Sequence, residues 1–188
     1  MPSRATPSAK TASGVFSLRL LATTDIHAHV LPYDYTWDQP LASVGLARTA
    51  SLIRAARKEV HNSILLDNGD FLQGNPLGEL AATHRHTREF TLHPVIAAMN
   101  LLGYDAGTLG NHEFSFGLPF LQSSIAKASF PIVSANVLTQ KGNSPDVDQH
   151  LVPPTVVLRR TLMSDQGGRA EIGIGIIGRA AASRPRTL

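Results

Sequence analysis

Cysteine is absent from the 188-residue chain, which excludes disulfides, thiolate nucleophiles and sulfur-ligated metal sites. It does not fix the redox compartment, because a secreted protein can also lack cysteine. No apolar run approaches the roughly 20 residues of a membrane helix. The first fourteen residues are rich in Ser, Ala, Thr and Pro and lack the apolar centre of a secretory signal. Read literally, the chain is cytoplasmic. Charge of one sign is also scarce, with 17 Lys and Arg against 14 Asp and Glu for a net of +3. Arg54, Arg57 and Lys58 fall on one helix face and Arg159 and Arg160 in a late strand. That leaves no basic stripe interleaved with aromatics, so nucleic acid is not an expected partner; the mild positive charge suits small anionic substrates. With 43% hydrophobic residues the chain can bury one core.

What is present is an arrangement made three times. Asp25-Ile26-His27, Asn68-Gly69-Asp70 and Gly110-Asn111-His112-Glu113 each follow an apolar, strand-like run. The carboxyl ends of strands are where open α/β sheets place their chemistry, and carboxylate, imidazole and amide donors together suit divalent cations. The first run covers residues 15–24. Extended backbone continued to His27 puts Asp25 and His27 on one side, since alternate strand residues share a face. The second run, residues 63–66, breaks at Asn68-Gly69, where glycine allows the turn that aims Asp70 across the sheet edge. Its two oxygens can bridge two cations. The third, residues 104–109, breaks at Gly110 and presents the neutral oxygen of Asn111 and the titratable ring of His112. One Asp-x-His arises readily by chance; three motifs in order behind apolar runs, at the spacing of β-α-β units, do not. His61, His84, His86, His93 and His150 lack that context and read as structural or surface residues, as does His29, which lies close enough to the first motif to face the cleft.

The pattern between the motifs predicts an α/β fold with a mixed, largely parallel sheet covered on both faces. After a flexible arm, a loop over residues 29–40 carries Tyr33, Tyr35 and Trp37, expected to cover the end of the core rather than to face a substrate ring. Helical spacing covers residues 41–60, Gln73 to Gly78 continues the metal loop rather than a helix, and residues 81–88 read as a solvated loop. Thr91 caps a helix that has Pro94 in its first turn and stops at Gly103. A further helix over 118–129, a strand over 130–134, a polar loop beyond Leu138 and strands over 155–162 and 170–177 complete the chain. Gly173-Ile174-Gly175-Ile176-Ile177-Gly178 matches the dinucleotide fingerprint in letters alone. Its glycines fall inside a strand, with neither helix nor acid behind them, so a Rossmann reading is rejected.

On these residues the chain resembles the calcineurin-like metallophosphoesterases, in their nucleotidase branch, and most of all the bifunctional 2',3'-cyclic-nucleotide 2'-phosphodiesterase/3'-nucleotidases. The resemblance runs from about Leu18 to Gly178 and is most specific at Thr23-Thr24-Asp25-Ile26-His27, Asp67-Asn68-Gly69-Asp70-Phe71-Leu72-Gln73-Gly74, and His93-Pro94 through Ala98-Met99-Asn100 to Gly110-Asn111-His112-Glu113-Phe114. It implies the N-terminal portion of an αββα sandwich and two divalent ions of manganese, zinc, iron or cobalt. It implies Asp25 and His27 on the first metal, Asp70 bridging, Asn111 on the second, and His112 as the catalytic histidine. The implied substrates are 2',3'-cyclic nucleotides and 3'-nucleotides, hydrolysed in nucleotide catabolism. Many relatives are periplasmic, which applies here if the true start lies upstream.

Related 5'-nucleotidases pair the catalytic histidine with an aspartate three residues on, where this chain has Ser115; the partner of His112 is left open. The family's downstream histidine motifs and second domain do not follow, and residues 179–188 bear no relation to it. Residues 15–178 are therefore expected to be a partial phosphoesterase domain between a flexible arm (1–14) and an atypical tail (179–188), truncated or frameshifted, and weakly active or inactive alone. A non-catalytic metal-binding or interaction remnant is the alternative, and a 5'-nucleotidase-like hydrolase a second.

Overall fold

Apolar runs bounded by glycine and asparagine turns become short strands, and the segments between them become helices. The structure is a computed structural model describing residues 13–84 and 91–180. In chain order its elements are β1 (Arg19–Thr23), β2 (Tyr33–Asp34), β3 (Gln39–Pro40), α1 (Leu46–Lys58), β4 (Ser63–Asp67), α2 (Pro76–Thr83), α3 (Pro94–Leu102), β5 (Ala106–Thr108), α4 (Leu118–Ile125), β6 (Ile132–Val133), β7 (Leu138–Gln140), β8 (Gln149–His150), β9 (Thr155–Met163) and β10 (Arg169–Ile177).

Four strands make one sheet in the order β1-β4-β5-β6, every pair parallel. Ile64 and Leu65 of central β4 are both fully buried, although adjacent strand residues face opposite ways; each such burial contributes about 1.5–3 kcal/mol. The main core joins Leu65 to Ile53 of α1, Ile96 and Met99 of α3, and Phe120 and Leu121 of α4. The other face is covered only in part, by the antiparallel hairpin β9–β10, so the expected cover on both faces is incomplete among the described residues. Leu158 and Leu162 of the hairpin are buried, while Leu20 of β1 is 63% exposed and Ile177 of β10 74%. Between hairpin and sheet lies an open cavity of about 400 Å³ lined by Ala22, Leu66, Thr108, Val133 and Ile176. Gly173 and Gly175 sit inside β10, paired with Arg159 and Val157, in keeping with rejection of the dinucleotide motif.

Several basic residues are spent internally. Arg57 of α1 donates to the carbonyls of Leu102 and Gly103 at 2.5 and 2.8 Å, closing the C-terminus of α3 where a cation is favoured. Arg160 pairs with Asp105 at 2.5 Å, and Asp105 in turn accepts from the Leu65 N–H.

The structure corrects the sequence reading in several places. Residues 76–83 form α2 rather than a loop, because Asn75 Oδ1 accepts from the N–H groups of Leu77 and Gly78 and Pro76 occupies the first turn; Ala81 and Ala82 are buried. His93, not Thr91, caps α3, its Nδ1 accepting from the Val95 N–H at 3.2 Å. The polar stretch after Leu138 contains the small β7–β8 pair. Trp37 is 75% exposed and covers no core. Ser13, at the end of the arm, accepts from Ser164 Oγ, and Ala180 is buried between two bonds to Asn136. Residues 1–12 of the arm, Arg85 to Phe90 with His86, and residues 181–188 lie outside the described residues. No described helix is long and apolar enough to cross a membrane.

Candidate metal centre

The loops after β1, β4 and β5 leave one edge of three adjacent parallel strands, so their residues converge. The first two loops are laced by main-chain bonds: Asn68 N–H to the Thr23 carbonyl, Asp25 N–H to Gly69, His27 N–H to Asp70 and Ala28 N–H to Phe71, at 2.8 to 3.0 Å. The expected extended path to His27 is wrong. β1 ends at Thr23, and Asp25, His27 and Ala28 adopt left-handed backbone with φ of 52°, 47° and 57°, as does Asp70 with 59°. Each such residue costs about 1–3 kcal/mol and persists only where the surroundings impose it. Here the interlocked loops impose it, and the strain is concentrated on the residues carrying the donors.

One oxygen of Asp25, one nitrogen of His27 and one oxygen of Asp70 lie within 4.8 Å of one another. His27 Nε2 is 3.5 Å from Asp25 Oδ1. Asp70 Oδ1 also accepts the backbone N–H of His112 at 2.7 Å, tying the third loop to the cluster. The His112 ring meets that of His27 edge-on, centroids 5.1 Å apart. Asn111, exposed, precedes the 3-10 turn His112–Phe114.

Glycines set how near the loops come. A side chain on Gly69 collides with the backbone of Gly110, and one on Gly110 with the Asp70 carboxylate. Gly74, φ 145°, lies where a Cβ stands 2.6 Å from that of His27. The fully buried Glu113 is the main internal brace. Its carboxylate accepts the N–H groups of Asp70, Phe71, Leu72 and Gly110 at 2.6 to 3.1 Å. Burial raises its pKa, against the lowering effect of those four donors. Burial likewise pushes Asp67 up to about 7, although Thr23 and the Gly69 N–H hydrogen-bond it.

Gln73 lies in the loop between β4 and α2, and its backbone oxygen is 2.8 Å from His27 Nδ1 and its side-chain Oε1 2.8 Å from His112 Nδ1. No local signal announces a pairing between residues 39 apart. On the α1 side, Thr24, Asp25, His29, Val44 and Thr49 line a cavity of about 310 Å³, so His29 shares a cavity with Asp25 alone of the cluster.

A set of carboxylate oxygens and an imidazole nitrogen fits a divalent cation by donor type and by convergence. Residues 18–168 match the calcineurin-like phosphoesterase family. The chain is 47% identical over 164 residues to the trifunctional nucleotide phosphoesterase YfkN of Bacillus subtilis, covering 86% of this chain and 11% of that protein. It is 45% identical over 161 residues to a 2',3'-cyclic-nucleotide 2'-phosphodiesterase/3'-nucleotidase of Yersinia enterocolitica, with shares of 86% and 24%. The crystal structure of calcineurin-like phosphoesterase YfkN from Bacillus subtilis superposes with a TM-score of 0.78 at 45% identity, over 87% of this chain and 48% of that one. The chain thus spans a quarter or less of these two curated relatives and corresponds to their N-terminal region. It has the α/β metallophosphoesterase fold, and it belongs to the calcineurin-like phosphoesterase family.

Proposed function

We propose that this chain carries the N-terminal half-site of a dinuclear-metal phosphoester hydrolase acting on 2',3'-cyclic nucleotides and 3'-nucleotides. Supporting this reading is the convergence of Asp25, His27 and Asp70 within 4.8 Å, with His112 packed against His27. Asp25 and His27 would hold the first ion, Asn111 would serve the second, and Asp70 would contribute to both. The ions, when bound, supply an activated water and charge stabilisation on the phosphoryl oxygens. His112 protonates the departing ribose oxygen or stabilises charge on phosphorus, either role suiting an imidazole. The exposed loop edge admits a substrate phosphate. The substrate class is taken from the relatives' activities.

Four protein ligands among the described residues are few for two ions, so slow turnover is expected of these residues alone. The unit doing this work is residues 15–178, with the arm and tail outside it. Hydrolysis of 2',3'-cyclic AMP, 3'-AMP and 5'-AMP by purified chain with added Mn²⁺ tests the reading. A slow activity on the first two, abolished by Asp70→Ala, supports it. A preference for 5'-AMP favours the 5'-nucleotidase alternative. No turnover together with no metal uptake in equilibrium dialysis sinks it in favour of a non-catalytic remnant.

A further inference from the structure

We propose that Gln73 is the positioning residue for both imidazoles of the site, holding His27 and His112 as Nδ1–H tautomers so that both Nε2 atoms remain available. This rests on the phosphoesterase reading above for its functional meaning, but not for its geometry.

A peptide carbonyl oxygen can only accept. The 2.8 Å contact between the Gln73 backbone oxygen and His27 Nδ1 therefore places a proton on Nδ1 and, in the neutral ring, leaves the lone pair on Nε2. It is this Nε2 that approaches Asp25 Oδ1. The side chain of the same residue repeats the arrangement on the second ring, Oε1 lying 2.8 Å from His112 Nδ1. An amide oxygen accepts whether the ring is neutral or charged, so the contact survives a cycle in which Nε2 gains and loses a proton. It also adds no negative charge beside Asp25 and Asp70. Ser115 does not take this role: it is exposed, and its contact with His112 is a backbone one, its N–H to the His112 carbonyl.

Gln73 is itself firmly placed. The two residues before it, Phe71 and Leu72, are fully buried and donate to Glu113. Gly74 follows at φ 145° against the His27 ring, and Asn75 then caps α2. One residue between a buried brace and a helix cap thus aligns two rings from two other loops. Partners of this kind on metal-site histidines are worth about 10–100-fold in metal affinity or activity.

The test is long-range ¹H–¹⁵N correlation spectroscopy on the metal-free, ¹⁵N-labelled chain at alkaline pH, where an ordinary imidazole is neutral. Both His27 and His112 are expected as Nδ1–H tautomers in the wild type. Gln73→Ala is expected to leave His27 unchanged, since the backbone carbonyl remains, and to release His112 to a mixture rich in Nε2–H. Gln73→Glu, which restores an acceptor, is expected to return His112 to Nδ1–H, and Ser115→Ala to change neither ring. An Nε2–H tautomer for His112 in the wild type overturns the proposal, as does a His112 signal indifferent to Gln73→Ala. Because the wild-type spectrum decides by itself, a variant that folds poorly does not protect the idea. Where cyclic-nucleotide hydrolysis is measurable, Gln73→Ala lowers kcat about 10–100-fold with KM little changed. Absence of both hydrolysis and metal uptake with the expected tautomers refutes the functional reading and leaves the positioning role standing.

Discussion

Glu113 holds Asp70 by its backbone rather than by its side chain: the Asp70 N–H donates to Glu113 Oε2 at 2.7 Å. The same oxygen accepts from Gly110, and its twin from Phe71 and Leu72. One buried carboxylate therefore fastens the loop after β4 to the loop after β5, and the Asp70 side chain stays free to accept from His112 and to face the metal cluster.

Removing that carboxylate leaves four N–H groups short of an acceptor, three of them in fully buried bonds. With about 1–3 kcal/mol for each unsatisfied buried donor and some relaxation, Glu113→Ala should lose about 4 kcal/mol or more. Glu113→Gln keeps the shape but turns an NH₂ toward donors, and should lose about 2–3 kcal/mol. Urea denaturation of both variants checks this order. Equal and small losses, below about 1 kcal/mol, would show that the brace is not structural.

Gly74→Ala should damage the site more than the fold. The added methyl meets His27 Cβ at 2.6 Å and Nδ1 at 2.7 Å, so the ring must leave its contact with the Gln73 carbonyl. Zinc affinity measured by calorimetry is expected to fall about 10–100-fold. Gly103→Ala is the control. It shares a positive φ, 64°, but its Cβ meets nothing within 4 Å. It should cost about 1–2 kcal/mol of stability with zinc affinity unchanged. A matching loss of affinity in both variants would mean that the effect is general loosening, not contact with His27.

Central β4 and its motif are legible because a strand buried on both faces is a continuous apolar run and the glycine that follows it is conspicuous. Three adjacent parallel strands then bring Asp25, Asp70 and His112 to one edge without further information. The helix α2 was masked by Gly74 and Gly78, although Asn75-Pro76 carries the cap and first-turn signal. Asp25 and His27 converge through left-handed turns and not through strand alternation. Left-handed backbone at ordinary residues is imposed by loop-to-loop hydrogen bonds, which have no local signature. For the same reason neither the Gln73–His112 contact nor the bonds of Glu113 to Asp70, Phe71 and Leu72 can be read from spacing; both join segments about 40 residues apart.

Asp67 should make the metal-free protein less stable as pH rises. Its carboxyl titrates at about 7 in the fold against an ordinary value of 3.8. Below 3.8 both folded and unfolded chains hold the proton and the group is neutral to stability. Between 3.8 and about 7 the unfolded chain releases its proton first, so stability falls as pH rises, by about 4 kcal/mol at most when complete. His93, lowered to about 4 by burial, works the other way between 4 and 6.5, its neutral Nδ1 being needed to cap α3. The difference between Asp67→Asn and wild type removes that background. It should be smallest near pH 4 and grow in favour of the variant up to about pH 7–8, by chemical denaturation in chelator. A difference independent of pH would show that Asp67 ionises normally.

Metal binding should stabilise the chain through Asp70. An ion that binds the folded state alone adds about 2.7 kcal/mol at a hundredfold excess over its Kd, which for a domain of this size is about 5–10 °C in Tm. Mn²⁺ or Zn²⁺ is expected to raise the midpoint of the wild type, with chelator reversing the rise. Asp70→Asn is expected to abolish the shift even where its own midpoint is close to wild type, because asparagine can still accept the His112 N–H but no longer brings a charge to the cluster. Asp25→Asn, altering the more exposed carboxylate, should reduce the shift rather than abolish it. The comparison turns on shifts, not midpoints. A general loss of stability lowers every curve alike, whereas a ligand lost from the site removes only the part that the ion contributes. An undiminished shift in Asp70→Asn would place the bound ion elsewhere on the molecule.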